Sequence, residues 1–332
     1  MDNKYGHPSN ACQGCHERPL DVKFTPYCNA NCAHCIERGG FDITPGIDEM
    51  VNATIDYAPQ SILILGGEPG LVPSQLAGYL AGIANLPAKV YITTNGTLLA
   101  ESEIYISELD RYVTGINLSI NHPDEAHNTK VYNWKVHGPT PTFRQIERGI
   151  ACFGGYKIRL NVNLVRGFVD NLDAVEKTLA LAQSWGIKTI RFGELQGDVG
   201  GDYVEASFLE GWHGLKLHAD PFLEGCVQEV EVDGITVQVK QVCCFCQPAK
   251  SYLSADYWPL VQHNTAVLYG NGHITSGWIK AEPALSAHQI HLIEIGCHAS
   301  GEADTGGGIP VSTTPIPPEK RVAIATCHRK ED

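Results

Sequence analysis

Cys28-Asn29-Ala30-Asn31-Cys32-Ala33-His34-Cys35, directly after the apolar segment Leu20 to Tyr27, is the stretch from which the rest of the chain is read. Its cysteines are spaced CxxxCxxC. Three thiolates packed into eight residues cannot reach three separate partners. They can wrap one polynuclear centre, and Fe–S clusters are held by Cys thiolates in short runs of this kind. A [4Fe–4S] cluster takes four ligands, so three cysteines leave one iron open to chelate a small molecule and pass it an electron. The competing readings are a zinc knuckle and half of a disulfide framework. Zinc sites more often use CxxC pairs, and the Asn and Ala residues of the run suit a loop folded around something bulkier.

The chain is 332 residues long, with 43% hydrophobic and 18% charged residues, which suits one large domain with an appendage, or two domains. No apolar run approaches the roughly 20 residues of a membrane helix, and Met1 to Asn10 is polar, without a signal-peptide core. The expected location is therefore cytoplasmic, with no membrane partner. Twelve cysteines in such a chain point to metal binding or catalysis rather than disulfides. A formal net charge of −13 repels polyanions and disfavours direct binding of duplex DNA. A nucleotide, peptide or small metabolite fits that charge better.

Upstream of the cysteine run, Cys12-Gln13-Gly14-Cys15-His16 reads as half of a metal site, a redox pair, or loop residues without a ligand role. Leu20, Val22 and Phe24 alternate with polar residues as in a half-buried strand, so the run is a loop at the C-terminal end of a first strand. Ile47, Met50, Val51 and Ile55 have helical spacing and predict one core-facing side. Ser61 to Leu65 is a continuous apolar run, as in a strand of a parallel sheet buried on both faces, and it ends in Gly66-Gly67-Glu68-Pro69. Glycines there allow close approach of backbone to ligand, and a carboxylate beside them can accept hydrogen bonds from an ammonium group.

Further along, Pro73 to Ala84 predicts a helix and Lys89 to Thr93 a strand ending at Thr94-Asn95-Gly96. A helix over Glu101 to Leu109 precedes a strand over Thr114 to Asn121, in which Asn117, Ser119 and Asn121 share a register and either line a cavity or cap the strand end. His122 to Gly138 reads as a polar, turn-rich, mobile lid with surface histidines His122, His127 and His137. Phe143 to Phe153 predicts a helix with Cys152 as a small core residue. Lys157 to Val165 and Lys188 to Phe192 predict two more strands around a helical stripe of Leu172, Val175, Leu179 and Ala182, closed by Gly186 as a C′ glycine. Strand and helix thus alternate about six times, which implies a parallel sheet with crossover helices, and every polar motif lies at the C-terminal end of a strand, where such folds bind ligands.

From Gly197 the alternation stops. Glu229 to Val239 is a hairpin signal around Asp233-Gly234, and a second hairpin is expected from Val267 to Trp278 around Asn271-Gly272. The first hairpin would bring Cys226 near Cys243 and Cys246, as an auxiliary Fe–S cluster, a zinc site or reduced structural thiols, with Cys297, Cys327 or the Cys12/Cys15 pair as further ligands. Gly301 to Pro318 is rich in Gly, Pro, Thr and Ser and reads as a surface loop or tail.

CxxxCxxC after a first strand and GGEP after a second resemble the radical S-adenosylmethionine (SAM) superfamily. Asn161 to Phe168 and Ile190-Arg191-Phe192-Gly193-Glu194 are similar to the branch containing the GTP cyclase of molybdopterin synthesis and the SPASM-type peptide-modifying enzymes. The resemblance covers about Leu20 to Gln196 and implies a partial (β/α)6, TIM-like barrel of α/β class, with residues 1–19 as an N-terminal cysteine-containing segment and 197–332 as a mixed α+β extension. It implies that Cys28, Cys32 and Cys35 hold an oxygen-sensitive [4Fe–4S] cluster, that Gly66, Gly67, Glu68 and Pro69 hold the SAM amino group, that Ser119 contacts the ribose, and that the His34 backbone and Gln196 approach adenine. It also implies an electron donor such as flavodoxin or ferredoxin. In such enzymes cleavage of SAM yields a 5′-deoxyadenosyl radical that abstracts hydrogen from a substrate.

The GTP cyclase itself has an arginine shortly before GGEP, where this chain has Leu63. Its tail ends in two glycines instead of Lys330-Glu331-Asp332, and its second cluster needs a third cysteine at a spacing that Cys243 and Cys246 lack. These departures argue against that identity. The sequence therefore points to a radical SAM enzyme acting on a small-molecule or nucleoside-type substrate, with a peptide substrate as the alternative. A competing reading from another class is a non-catalytic Fe–S or zinc protein that binds SAM as a sensor or scaffold.

Overall fold

The computed structural model describes residues 19–35, 46–136, 138–195, 200–219, 226–242 and 266–276. Six parallel strands, β1 (Pro19–Thr25), β2 (Ser61–Gly66), β3 (Lys89–Thr94), β4 (Gly115–Ser119), β5 (Ile158–Leu164) and β6 (Thr189–Glu194), lie side by side in chain order. The helices between them are α1 (Ile47–Tyr57), α2 (Pro73–Gly82), α3 (Glu103–Leu109), α4 (Glu125–Tyr132), α5 (Phe143–Phe153) and α6 (Leu172–Ser184). This is the parallel sheet with crossover helices that the alternation predicts, and it is consistent with the partial, TIM-like α/β barrel that the resemblance implies.

Period-2 alternation assigns the two faces of the sheet. Leu20, Val22, Ile62, Ile92, Leu118 and Phe192 are fully buried in one core cluster, together with Ile146 and Ile150 of α5 and Val175 and Leu179 of α6. The intervening positions, among them Asn117, Arg159, Asn161 and Arg191, share the opposite, concave face.

Two hairpins extend this sheet. β7 (Val227–Val232) and β8 (Ile235–Lys240) are antiparallel about Asp233 and Gly234, whose φ values of 50° and 76° are those of a two-residue primed turn. β8 pairs in parallel with β6, while β9 (Ala266–Tyr269) pairs in parallel with β1 and in antiparallel fashion with β10 (Ile274–Ser276), so the sheet is continuous from β10 to β7. Among the described residues no helix is long and apolar enough to cross a membrane.

Several expectations need correction. The core side of α1 is Met50, Thr54 and Tyr57, and Ile55 is 44% exposed. Thr54 is tolerated inside because its hydroxyl donates to the Met50 carbonyl and pairs with the buried Tyr79 hydroxyl at 2.8 Å. Leu172 is likewise exposed, at the first turn of α6. Cys152 is exposed, because the buried stripe of α5 runs through Ile146, Gly149, Ile150 and Phe153 and leaves it to one side. The segment read as a lid contains helix α4, capped by the Asp124 carboxylate on the His127 N–H, with Asn128, Val131 and Tyr132 buried. Gly186 has φ 68° and closes α6 as expected, with the Ile187 N–H reaching back to the Ala182 carbonyl.

Candidate functional site

The cysteine run and the GGEP turn are joined through backbone. The Gly67 N–H donates to the Thr25 carbonyl at 2.6 Å and the Glu68 N–H to the Tyr27 carbonyl at 2.7 Å, so the turn after β2 lies on the strand exit that feeds the cysteines. A Cβ at Gly67 would stand 1.9 Å from the Tyr27 carbonyl oxygen. Only glycine fits there.

Cys28 and Cys32 are half-buried and Cys35 is exposed, and none of the three is in a disulfide among the described residues. The Ala30 N–H points at Cys28 Sγ at 3.4 Å, and the Cys35 N–H closes a turn on the Cys32 carbonyl. Burial pushes the Cys28 thiol above its ordinary range, against the pull of the Ala30 N–H. A thiolate at that position therefore favours a bound metal as its counter-charge. Three cysteine thiols on one short loop, with a backbone donor already aimed at the Cys28 sulfur, fit a [4Fe–4S] cluster. The loop is walled on its far side by the end of α4: the Asn31 N–H donates to the Tyr132 carbonyl and the Lys135 N–H to the Asn29 carbonyl.

Glu68 does not offer its carboxylate to a ligand. It is 1% exposed and accepts from the Gly70 N–H (2.8 Å), the Thr94 hydroxyl (2.7 Å) and the Asn95 N–H (2.7 Å). Burial pushes its pKa up to about 7, although all three hydrogen bonds favour the ion. What remains available at this turn is the half-buried backbone of Gly66 and Gly67.

On the concave face, Ser119 is half-buried at the end of β4, and its carbonyl accepts the Tyr132 hydroxyl. His34 is buried, with its ring Nε2 3.5 Å from the Asn163 amide, which in turn donates to Asn121. Below them lie two buried arginines. Arg159 Nε donates to Asn161 Oδ1 at 3.0 Å and Arg191 Nε to Gln238 Oε1 at 2.8 Å, while Arg191 Nη2 is buried without a hydrogen-bond partner among the described residues. Desolvation depresses both, Arg191 to about 10 against the opposing pull of Glu229 and Cys226, and the charge of Arg191 lowers Arg159 further. Such a pair of guanidinium groups suits an anion.

Other expected residues stand elsewhere. His122, Asp124 and His127 place ligand-type atoms within 4.8 Å of one another, but their contacts are those of a helix cap: the Asp124 carboxylate takes the His127 N–H and ring Nδ1, and the Asp124 N–H donates to His122 Nδ1. Cys226 is buried at the start of the β7–β8 hairpin, and the Gln241 N–H donates to its carbonyl at 2.8 Å. Gln196, Cys243, Cys246, His137, Cys12, Cys15, Cys297, Cys327 and the stretch from Gly301 to Pro318 lie outside the described residues. Thr97 and Tyr132 belong to no motif legible in the sequence, Asn29 reads there only as a spacer between the cysteines, and Thr94-Asn95-Gly96 only as a strand end. The signal that points to Asn29, Asn95 and Thr97 is the density of amide and hydroxyl residues after β1 and β3, and nothing in the sequence points to Tyr132.

Comparison with known proteins agrees with this geometry. Residues 22–182 match the radical SAM superfamily model. A probable GTP 3′,8-cyclase of Methanococcus aeolicus is 32% identical over 184 residues, covering 50% of this chain and 58% of that protein. A GTP 3′,8-cyclase of Stenotrophomonas maltophilia is 30% identical over 165 residues, 46% of this chain and 48% of that protein. The chain thus spans about half the length of the curated relatives it matches. Among solved structures, Streptococcus suis SuiB bound to precursor peptide SuiA superposes with a TM-score of 0.54 at 14% identity, over 82% of this chain and 62% of that one, a likeness of fold. Residues 22–182, which carry the cysteine loop, the GGEP turn and the parallel strands, thus form a domain of the radical SAM superfamily, and the relatives similar to it include GTP 3′,8-cyclases.

Proposed function

We propose that this chain is a radical SAM enzyme whose concave face holds an anionic, nucleoside-type substrate. The observation that carries the substrate class is the buried Arg191 guanidinium with Nη2 unpartnered among the described residues, beside Arg159. A phosphate or carboxylate placed there would accept from both groups, and its charge would relieve their mutual repulsion. Relatives named GTP 3′,8-cyclase support a nucleotide as the anion's carrier, while Leu63 before GGEP separates this chain from the cyclase itself.

Cys28, Cys32 and Cys35 would hold the [4Fe–4S] cluster, the Gly66 and Gly67 backbone the SAM amino group, and Ser119, His34 and Gln196 the adenosyl moiety. When bound, the cluster supplies the electron that cleaves SAM to the radical which abstracts hydrogen from the substrate. The Gly67 and Glu68 N–H groups, bonded to the Thr25 and Tyr27 carbonyls, keep the SAM turn and the cysteine loop in fixed relation, and the end of α4 with residues 132–136 braces the loop. Cys226, held beside Gln241 by the hairpin, is the described part of an auxiliary cluster or zinc site with Cys243 and Cys246. A flavodoxin or ferredoxin would supply the electron.

Anaerobic reconstitution followed by SAM and dithionite tests the chemistry. The expected product is 5′-deoxyadenosine, and none above a no-enzyme control from fully loaded protein refutes the catalytic reading. Comparing nucleoside triphosphates with the unphosphorylated nucleosides tests the anion: equal stimulation by both removes the arginines from substrate binding.

A further inference from the structure

The cysteine loop is held by a buried amide network that the cluster and SAM assignments leave unused. Asn29 and Asn95 are 3% and 8% exposed and 66 residues apart in sequence. Their orientations are unambiguous. The Thr97 backbone N–H can only donate, and it points at Asn95 Oδ1 at 3.1 Å, with the Thr97 hydroxyl adding a second bond at 2.7 Å. Asn95 Nδ2 must therefore face the other way, toward Asn29 Oδ1 at 2.8 Å and Cys28 Sγ at 4.0 Å. Asn29 is fixed by the same logic, because its Nδ2 donates to the Pro139 carbonyl at 2.6 Å and to the Thr97 hydroxyl at 2.8 Å. The Asn95 backbone N–H, finally, is bonded to the Glu68 carboxylate at 2.7 Å.

We infer that Asn95 is a positioning residue that locks the cysteine loop to the GGEP turn and directs an N–H donor at the Cys28 sulfur. Its two Nδ2 hydrogens have two acceptors, Asn29 Oδ1 and Cys28 Sγ. The inference rests on the reading that Cys28 is a cluster ligand. Once Cys28 is a thiolate, its sulfur is an acceptor only, and a donor on a ligand sulfur stabilises the more negative, reduced cluster, raising its reduction potential. Because Asn95 N–H is held by Glu68 and its side chain by Thr97, the donor cannot swing away to another partner, so its strength is set by the fold.

The test compares Asn95→Asp with Thr97→Val in the full chain, each reconstituted anaerobically. The readout is the midpoint potential of the cluster whose paramagnetic signal responds to SAM, with iron release to a chelator alongside. Asn95→Asp keeps the acceptor for Thr97 and removes the donor to sulfur. Its midpoint should fall by about 59 mV or more, a tenfold change for a one-electron couple, and iron should leave faster. Thr97→Val weakens the network but keeps the donor, so iron release should rise while the midpoint stays. Asn95→Ala, which lacks the donor without adding the negative charge of Asp, is measured alongside and should show the drop too; a drop confined to Asn95→Asp comes from the new charge and overturns the inference. A parental midpoint in both Asn95 variants overturns the inference, as does an equal drop in Thr97→Val, which would place the effect in packing. An unvaried protein that binds no cluster, or a Cys32→Ala protein that retains all its iron, refutes the ligand assignment itself.

Discussion

Replacing Glu68 with Gln isolates the energetics of a carboxylate enclosed by the fold. The native group is buried at the GGEP turn with three donors around it, yet its pKa is raised from an ordinary 4.5 to about 7, because desolvation outweighs those bonds. A raised carboxyl pKa means that the folded chain binds the proton more tightly than the unfolded chain. Stability contributed by the protonated group is therefore fully present below pH 4.5 and is lost as pH rises through about 7. At ~1.4 kcal/mol per pH unit this amounts to ~3 kcal/mol across the window. The Gln variant has no titrating group there, so its profile lacks this decline. It also turns an NH2 toward donors, leaving one unsatisfied contact at a cost of roughly 1–3 kcal/mol. Urea unfolding followed by tryptophan fluorescence from pH 4.5 to 8 should show native protein more stable than Glu68→Gln at the acid end, with the gap closing by about 3 kcal/mol toward pH 7.5. Parallel profiles would refute the burial argument.

Gly67→Ala should abolish SAM binding and cluster loading while leaving the strand core folded, since the added methyl meets the Tyr27 carbonyl at 1.9 Å; equilibrium dialysis with labelled SAM and iron analysis check this, and native-like values for both would contradict the docking of the two loops. Arg191→Met should weaken binding of an anionic substrate by about ten- to hundred-fold, the range of a charge-assisted hydrogen bond, while the melting temperature of the substrate-free protein changes little, because removing a desolvated charge offsets the loss of the bond to Gln238; unchanged affinity by calorimetry places the substrate elsewhere. Asn171→Ala, which deletes the side chain capping the Ala174 N–H, should destabilise α6 by ~1 kcal/mol in urea unfolding.

The residues of the cysteine loop and the GGEP turn are legible in the sequence alone, because both lie in short contiguous runs at strand ends and their chemistry depends on local spacing. The parallel sheet is equally legible from the apolar run at Ser61–Leu65 and from alternation in β1 and β5. Helix α4 is not. It is polar on most sides and is held by the Asp124 cap and the burial of Asn128, Val131 and Tyr132 against neighbouring segments, which leaves little periodic signal. Ile55 and Cys152 depart from expectation for a related reason: a helical stripe has two flanks, and only the facing sheet selects which flank is covered.

Local sequence determined the elements, the turn glycines and the cluster loop, since backbone propensity and hydrophobic period act over a few residues. Tertiary structure alone decided which polar groups meet. It brought Asn29 to Asn95 and Pro139, put Arg159 and Arg191 on one face of β5 and β6, two residues apart in register, and turned Glu68 inward to Thr94. Those pairings depend on strand order and register, and a buried donor finds its acceptor only after the chain between them has closed.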